Sequence, residues 1–199
     1  MPGSPAPACD PAHVAAVVRL ARAAVPRCGG TVVIAVDGPS GSGKTELAAA
    51  VAADLGGPVV HLDELYPGWD GLAAAVPLLV RRVLEPIKRG KAATYPVWDW
   101  QAGGWGEGRT ITPGRFLVVE GCGSSVAPAD RYAAVRVWLD ADPAVRRTRA
   151  LARDGTTFAP YWERWAAQER ALYAADRTAE RADLVLLTGA RDTDPAAGR

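Results

Sequence analysis

The segment GPSGSGKT, which runs from Gly38 to Thr45, has the residue types and spacing of a phosphate-binding loop, G-x-x-x-x-G-K-[ST]. Its glycines let the backbone curve closely, so that successive N–H groups can face phosphate oxygens. In such a loop the lysine, here Lys44, contacts the β- and γ-phosphates, and the hydroxyl of Thr45 binds Mg²⁺. The sequence therefore predicts a nucleoside triphosphate site. Its nucleotide-binding residues would be Gly38, Pro39, Ser40, Gly41, Ser42, Gly43, Lys44 and Thr45.

Glu120 is a second candidate Mg²⁺ ligand, because it ends the apolar run FLVVE and precedes a glycine. The carboxylate could hold the ion directly or through a water; alternatively, it is only an exposed acid at a strand end, where strands of this fold class converge. The chain has no guanine-recognising N-K-x-D motif, which argues against a switch GTPase. We therefore expect ATP, the commoner donor, together with Mg²⁺.

The elements that position these residues alternate between strands and helices. Buried strands are predicted at 31–36, 59–62, 115–121, 133–140 and 182–187, and helices at 12–25, 45–55, 70–90, 142–154 and 158–179. Pro77 and Pro86 are expected to interrupt the third helix. This order predicts an α/β fold with three layers and a mainly parallel sheet of about five strands. The stretch 92–113, rich in tryptophan, glycine and proline, is expected to form a small excursion from that sheet. The strand–loop–helix context around Gly38 disfavours the alternative that GPSGSGKT is only a flexible turn.

Composition excludes several other classes of protein. The formal net charge of +1 gives no electrostatic reason to expect nucleic acid or an acidic membrane as a partner. Cys9, Cys28 and Cys122 are odd in number and widely spaced, which disfavours a disulfide framework or a zinc site and fits a reducing cytoplasm. The N-terminus lacks the pattern of a signal peptide, and no apolar run approaches the ~20 residues that span a bilayer.

The chain resembles the uridine kinase family of P-loop nucleoside kinases, which is related to phosphoribulokinase and bacterial pantothenate kinase. The matching segments occur in the family's order between residue 31 and about residue 187. They are GPSGSGKT, LDELY, PVWD, VVEG and WLDADPAVRRTRALARD. The resemblance implies one P-loop kinase domain over residues 1–199. Within it, 1–10 would be disordered, 64–113 would bind the acceptor, 142–160 would form a lid, and 188–199 would be a loose tail.

The resemblance also implies roles for residues that follow the second strand. Asp63 would accept the proton of the acceptor hydroxyl as that oxygen attacks the γ-phosphate. Glu64 is the weaker candidate because adjacent strand residues point to opposite faces. Tyr66 would pack against the acceptor. The alternatives are that Asp63 only caps the next turn and that Tyr66 is an ordinary core residue.

The resemblance implies a substrate-binding role for Asp99, which matches the family's aspartate that holds sugar hydroxyls, with Trp98 beside it as a stacking wall. Alternatively, the tryptophans form the apolar face of a hairpin and Asp99 is a turn residue. The family follows this aspartate with a histidine and an arginine, and WQAGGWGEGR has neither in place. Arg109 is a candidate replacement, and this departure leaves the acceptor's identity open.

Arg146, Arg149 and Arg153 fall at i, i+3 and i+7 and so share one stripe of a helix that Asp142 would cap. Spacing alone favours a solvated basic face, whereas the resemblance implies a lid whose arginines stabilise the transferring phosphoryl group. Gly155 could act as the hinge of this lid. No chemistry is expected from the helix that follows, YWERWAAQERALY.

These observations predict an ATP-dependent kinase acting on a hydroxyl of a small molecule, most naturally a nucleoside or a similar metabolite. Lys44, Asp63, Arg146, Arg149 and Arg153 would be its catalytic residues. One alternative is a nucleoside-monophosphate kinase, for which Arg81, Arg82, Arg89 and Arg109 could bind the acceptor's phosphate. Another is a regulatory module that binds ATP without phosphoryl transfer.

Overall fold

The computed structural model describes residues 9–189. The predictions for the N-terminal residues 1–8 and for most of the tail, 190–199, lie outside the described residues. The strands are β1 (Val32–Asp37), β2 (Val59–His61), β3 (Ala93–Asp99), β4 (Gly104–Ile111), β5 (Phe116–Glu120), β6 (Ala133–Asp140) and β7 (Leu184–Leu187). The α-helices are α1 (Pro11–Ala23), α2 (Lys44–Leu55), α3 (Leu72–Leu79), α4 (Glu85–Lys88), α5 (Pro143–Phe158) and α6 (Trp162–Asp176).

The main sheet has five parallel strands in the order β2-β5-β1-β6-β7. The prediction of an α/β fold with a parallel sheet of about five strands is confirmed. Every residue of β1 is buried, as a β-branched run between two helical layers should be. Ile34 packs in a cluster with α1 and α2, and its neighbour Val33 packs on the opposite face with α3 and α6. This alternation produces the three layers.

The carboxyl ends of β1, β2 and β5 meet at one edge of the sheet. Glu120, the last residue of β5, is in register with Val36 on β1 and with His61 on β2. The phosphate loop follows β1 directly, and α2 begins at Lys44. Ligands in open α/β sheets bind at this edge, so the fold places the predicted nucleotide and metal residues together.

The helical segment between residues 72 and 88 does not break at its prolines, contrary to the prediction. Pro77 lies within α3, and a π-helical turn over Val80–Leu84 joins α3 to α4. In this turn the N–H of Glu85 bonds to the carbonyl of Val80, five residues earlier. The wider turn relieves the crowding that the ring of Pro86 would cause in a regular α-helix, so the chain continues without a break.

The segment predicted as a small excursion is an antiparallel hairpin of β3 and β4, which forms a separate two-stranded sheet. Its pairing runs from Ala93 opposite Ile111 to Asp99 opposite Gly104. Most of β4 is exposed, and Trp105 is 43% accessible. The hairpin therefore projects from the main sheet on the side of the loop that follows β2.

The predicted lid helix extends farther than expected. Asp142 caps α5 as predicted, its carboxylate accepting from the N–H of Ala144 at 2.8 Å. The helix continues to Phe158 through a kink at Gly155, whose φ of 54° and ψ of −133° are not helical. A short 3₁₀ turn, Ala159–Tyr161, then leads into α6. No helix within residues 9–189 combines the length and apolarity that crossing a membrane requires.

Candidate active site

The phosphate loop adopts a conformation that only glycine accommodates at several of its positions. Gly38, Gly41 and Gly43 have φ values of 140°, 78° and 95°. A Cβ at Gly38 would lie 2.0 Å from the carbonyl oxygen of Leu139, and one at Gly41 would lie 2.2 Å from that of Arg146. Gly43 precedes α2 and supplies no side-chain cap to its first N–H groups. An anion such as a phosphate fits this uncapped helix start.

Lys44 is buried at the base of the loop, where its Nζ donates to the carbonyl of Pro39 at 2.9 Å. Burial alone would lower the pKa of the ammonium, but the acidic side chains around it, Cys122, Glu120, Glu169 and Asp37, raise the pKa above its ordinary value. The side chain of Lys44 is therefore charged at neutral pH and lies next to the loop that would bind phosphate.

Thr45 and Glu120 form an oxygen pair suited to Mg²⁺. The Oγ1 atom of Thr45 lies 3.4 Å from Oε1 of Glu120, whose side chain is buried. The same carboxylate oxygen lies 2.6 Å from Nδ1 of His61, a residue that the sequence did not single out. A hydroxyl and a carboxylate are the hard ligands that Mg²⁺ prefers, with phosphate oxygens completing the shell. Within residues 9–189, no group of three or more His, Cys, Asp or Glu side chains could hold a metal ion.

Asp63 lies on a short 3₁₀ turn, Leu62–Glu64, just beyond the end of β2 rather than on the strand itself. Asp63 is exposed to solvent, and the protein atoms packed around its carboxylate desolvate it only in part. This desolvation and the negative charge of Glu120 raise the pKa of Asp63, and the cations of Arg153 and Lys44 oppose the shift. The structure thus brings Asp63 together with the phosphate-loop lysine and the predicted metal ligand.

The three predicted lid arginines have different surroundings. Arg146 donates to the carbonyls of Ala141 at 3.1 Å and of Ser40 at 3.4 Å, so it contacts the backbone of the phosphate loop. Arg149 donates to the hydroxyl of Thr188 at 2.9 Å. Arg153 forms a two-point ion pair with Asp154, at 2.9 and 2.7 Å, and it is the member of the set whose charge acts on Asp63.

Thr188, the first residue of the segment predicted to be a loose tail, is hydrogen-bonded to the main sheet and to the phosphate loop. Its N–H bonds to the carbonyl of Asp140 at 2.8 Å, and its hydroxyl donates to the carbonyl of Ser42 at 2.7 Å. The end of β7 therefore packs on the phosphate loop because backbone hydrogen bonding to β6 extends one residue past the strand.

Tyr66 is a core residue, as in the alternative considered for it. Its ring is 1% exposed and packs edge-on against Trp165, with ring centres 4.8 Å apart. Its hydroxyl donates to the carbonyl of Cys122 at 3.0 Å. Because it is fully enclosed, contact with an acceptor would require it to leave the core, so the geometry does not favour the predicted acceptor contact.

Trp98 and Asp99 lie at the end of the hairpin. Trp98 meets Trp105 edge-on across the two strands, with ring centres 5.1 Å apart. The Oδ1 atom of Asp99 accepts from the N–H groups of Ala102 and Gln101 at 2.9 and 2.8 Å, and these bonds lower the pKa of Asp99. Both contacts correspond to the hairpin-and-turn alternative, and a role in acceptor binding stays a prediction.

Glu64 and Arg109 join the hairpin to the loop after β2. The guanidinium of Arg109 lies 2.6 Å from Glu64 Oε1, and the hydroxyl of Tyr95 donates to Glu64 Oε2 at 3.0 Å. Trp100 adds a third link, because its Nε1 donates to the carbonyl of Asp63 at 2.9 Å. These contacts fix the position of Asp63 relative to the hairpin.

Two buried acids that the sequence did not identify, one at the end of β1 and one on α6, accept hydrogen bonds from the phosphate loop. Asp37, the last residue of β1, accepts from the N–H groups of Gly38, Gly123 and Ser125 at 2.8 to 2.9 Å. Glu169 on α6 accepts from the N–H and the hydroxyl of Ser40. The sequence offered one signal for Glu169, namely an acidic residue on the apolar face of a predicted helix, which indicates a buried carboxylate. It did not show that Ser40 is the partner of this carboxylate.

An aromatic cluster joins the loop after β2 to the end of α5 and the turn that follows it. Trp69 stacks on Tyr161 with ring centres 4.4 Å apart and on Phe158 at 5.4 Å, and it meets Trp100 of the hairpin at 4.6 Å. Trp165 packs edge-on against Trp69 from α6. Composition alone could not show that these scattered aromatic residues meet beside Asp63.

With this geometry established, the chain can be compared with known proteins. No protein-family model matches it. Its structure is similar to that of a possible uridine kinase from Bacillus stearothermophilus, with a TM-score of 0.65 and 19% identity over 88% of this chain and 97% of that one. It is also similar to a protein assigned as a fructose transport system kinase from Silicibacter sp. TM1040, with a TM-score of 0.56 and 22% identity over 86% of this chain and 98% of that one. At these identities the likeness shows the fold, which is the three-layer α/β arrangement that the chain shares with both structures.

A curated protein is similar over a shorter stretch. The tRNA dimethylallyltransferase of Parafrankia sp. (strain EAN1pec) is 48% identical over 52 residues, which is 25% of this chain and 16% of that protein. This similarity covers a small part of either protein, whereas the fold shared with the two solved structures covers most of the chain.

Proposed function

We propose that this protein is an ATP-dependent kinase that transfers the γ-phosphate to a hydroxyl of a small acceptor without a phosphate group, such as a nucleoside or a nucleoside-like metabolite. The observation that carries the proposal is the convergence of Lys44, the Thr45–Glu120 pair and Asp63 at one edge of the sheet. This set contains a phosphate-binding cation, a metal-binding oxygen pair and a carboxylate that can accept a proton.

Each residue would contribute one part of the reaction. Bound Mg·ATP would supply the phosphoryl group and part of the charge neutralisation that its transfer requires. The loop and Lys44 would bind the phosphates, and Thr45 and Glu120 would hold the metal. Asp63 would orient the acceptor hydroxyl and accept its proton. Arg153 would stabilise negative charge near Asp63 once its ion pair with Asp154 loosens.

The ion pairs of three arginines support an acceptor without a phosphate over a nucleoside monophosphate, and Arg81 and Arg82 remain as the cations that a monophosphate would have to use. A monophosphate acceptor needs cations to bind its phosphate. Arg109 is paired with Glu64, and Arg89 is paired with Glu85 at 2.7 Å. Arg164 on α6 pairs with Asp70, which lies in the loop between β2 and α3. Arg81 and Arg82 are exposed on the π-helical turn.

Transfer of a dimethylallyl group to tRNA is a second candidate, which rests on the local similarity to the Parafrankia enzyme. The formal net charge of +1 offers little electrostatic attraction for a polyanion such as tRNA. The third candidate, a module that binds ATP without phosphoryl transfer, does not require Asp63 to be in the site.

The deciding experiment offers purified protein, Mg²⁺ and γ-labelled ATP to separate pools of nucleosides, nucleoside monophosphates, and sugars and other small alcohols. Label in the nucleoside or alcohol pool supports the proposal. Label in the monophosphate pool would instead indicate a nucleoside-monophosphate kinase. ATP binding without label in any pool favours the binding module. A parallel reaction with dimethylallyl diphosphate and tRNA tests directly whether the protein transfers a dimethylallyl group.

A further inference from the structure

The mechanism above assigns no role to the buried acids beside the phosphate loop, and one of them, Glu169, is contributed by a helix outside the loop's own strand. Glu169 lies on α6 and is 3% exposed. Its Oε1 atom accepts from the N–H of Ser40 at 2.8 Å and from the Ser40 hydroxyl at 2.6 Å. The same oxygen accepts from Nε1 of Trp165 at 2.9 Å and from the thiol of Cys122 at 3.2 Å. Burying a carboxylate is costly, and these donors offset that cost.

The contact with Ser40 is one side of a clamp on the loop. On the other side, Arg146 of α5 donates to the carbonyl of the same residue at 3.4 Å. Both polar backbone groups of Ser40 are thus bound by side chains, one from each of the two helices that flank the loop. Tyr173, one helical turn after Glu169, lies with its hydroxyl 3.0 Å from the carbonyl oxygen of Gly38. The orientation of the loop's backbone is therefore set from α6.

We propose that Glu169 is a positioning residue for nucleotide binding, which holds Ser40 so that the following loop residues receive the phosphates. This inference rests on the proposed function only in assuming that the loop binds a nucleotide. Gly41 and Gly43 follow Ser40 with left-handed backbone angles, and α2 starts immediately after them. A shift of the Ser40 peptide would therefore misalign the N–H groups that face the phosphates.

All four donors converge on Oε1, and this detail separates two explanations of why Glu169 is an acid. If Glu169 acts as a hydrogen-bond acceptor, glutamine can supply the same oxygen and should replace it. If the negative charge matters, through its attraction to the nearby Lys44, glutamine should fail as alanine does. A negative charge beside a loop that binds an anion opposes binding, so we assign the role to the acceptor oxygen.

The test compares Glu169→Gln, Glu169→Ala and Ser40→Ala with the wild-type chain. Affinity for Mg·ATP is measured by calorimetric titration without any acceptor, and KM and kcat follow once an acceptor is known. Glu163→Gln is the matched control, because it removes an exposed carboxylate from the same helix. Leu172→Ala, which trims a partly buried apolar side chain of α6, controls for a general loss of stability.

Glu169→Ala leaves the buried N–H of Ser40 without its acceptor, so nucleotide affinity should fall about 10-fold or more, whereas Glu169→Gln should stay within about 3-fold of wild type. Ser40→Ala keeps the backbone contact and should lose about 2- to 5-fold. Both controls should bind as wild type does, even where Leu172→Ala lowers the melting temperature. In turnover, KM for ATP should rise in Glu169→Ala more than kcat falls.

Wild-type affinity in Glu169→Ala would overturn the inference, and so would equal losses in Glu169→Gln and Glu169→Ala. If Glu169→Ala does not fold, the inference stands on Glu169→Gln retaining affinity and Ser40→Ala losing it, and the opposite pattern overturns it. A wild-type chain that binds ATP but phosphorylates nothing would contradict the proposed function while leaving this test intact.

Discussion

At the level of single residues, the proposed chemistry depends most on Asp63, whose carboxylate shares the cleft with Lys44 and Glu120. Asparagine keeps the size of the side chain but cannot accept the proton of an acceptor hydroxyl. We expect Asp63→Asn to bind Mg·ATP as wild type does and to reduce turnover by about 10²-fold or more. Nucleotide titration together with an initial-rate assay checks both parts. Undiminished turnover would show that Asp63 is not the base.

The raised pKa of Asp63 has two consequences of known sign. Turnover needs the ionised carboxylate, so kcat/KM should decrease as the pH falls through this raised pKa, above the value of 3.8 for an ordinary aspartate. Because the folded state also binds this proton more tightly than the unfolded chain, ionised Asp63 disfavours folding at neutral pH, and solvent screening keeps the effect small because the residue is exposed. Asp63→Asn should therefore melt no lower than wild type. A pH–rate profile and a thermal melt measure the two effects.

The part of the site that was predictable from the sequence is the part that is local in the chain. Gly38 to Thr45 specifies its own fold and chemistry within one loop, and Glu120 is identified by its place after an apolar run. Glu169 and Asp37 were missed because their partners are determined by tertiary packing, between residues as far apart as Ser40 and α6. Tyr66 is enclosed for the same reason, although its motif suggested contact with an acceptor.

At the level of elements, the kink in α5 depends on Gly155. Its φ of 54° is strained for a residue with a Cβ, although no atom lies within 4 Å of where that Cβ would be. Gly155→Ala should therefore lower the free energy of unfolding by about 1–2 kcal/mol through the backbone alone. Urea unfolding measures this, with the exposed neighbour Thr156→Ala as control. Equal stability of both variants would mean that the kink is not required.

The edge strand β7 is fixed to β6 by Asp183, whose carboxylate accepts from the backbone N–H of Arg136 at 2.8 Å and from its guanidinium at 2.8 and 3.1 Å. Burial would raise the pKa of Asp183, but the hydrogen bonds from Arg136 outweigh it and lower the pKa. Asp183→Asn should cost about 1 kcal/mol at neutral pH, since the pair is partly exposed and screened.

The sign of the pH dependence follows from the lowered pKa of Asp183. Its contribution is present above the unfolded value near 3.8 and is lost as the pH falls through the lower folded value. The stability difference between wild type and Asp183→Asn should therefore shrink between about pH 5 and about pH 2. Denaturant titrations across this range measure it. A difference that stays constant would assign the effect to packing instead of charge.

Strand positions followed from the sequence because buried parallel strands are continuous apolar runs, as in Val32–Asp37 and Phe116–Glu120. The two-stranded hairpin was foreseen only as an excursion, since its glycines and tryptophans do not alternate clearly. The helix through Pro77 and Pro86 was not foreseen, because a π-helical turn depends on how the whole segment packs and has no period of its own in the sequence.

At the level of the whole molecule, nucleotide binding should stabilise the fold, because the loop that would receive it is part of the native structure. At a ligand concentration of about 100 times Kd, Mg·ATP adds about 2.7 kcal/mol, which for a chain of this size raises the melting temperature by about 5–10 °C. Lys44→Ala should lose most of this shift. A thermal shift assay with and without Mg·ATP measures it, and equal shifts in both proteins would place the nucleotide elsewhere.

The sequence predicted that the sheet is mainly parallel, but it did not predict the order of the strands. Alternating strands and helices restrict the connections to parallel crossovers. Which strand borders which, such as β5 between β2 and β1, depends on long-range packing that one sequence does not display. The convergence of Asp63 and Glu120 follows from that order.

The hairpin of β3 and β4 is joined to the site through Glu64 and Asp63 rather than through the main sheet. In evolutionary language, the outer part of the hairpin is a replaceable module, whereas Ala93, Tyr95 and Ile111 at its base belong to the core. Selection could change that outer part without altering the predicted phosphate loop. On the proposed function, exchanging residues 96–110 for the corresponding residues of a kinase of this fold should alter acceptor choice while Mg·ATP affinity is inherited unchanged. On the proposed function, new acceptors would then arise at the periphery of the site that transfers the phosphoryl group.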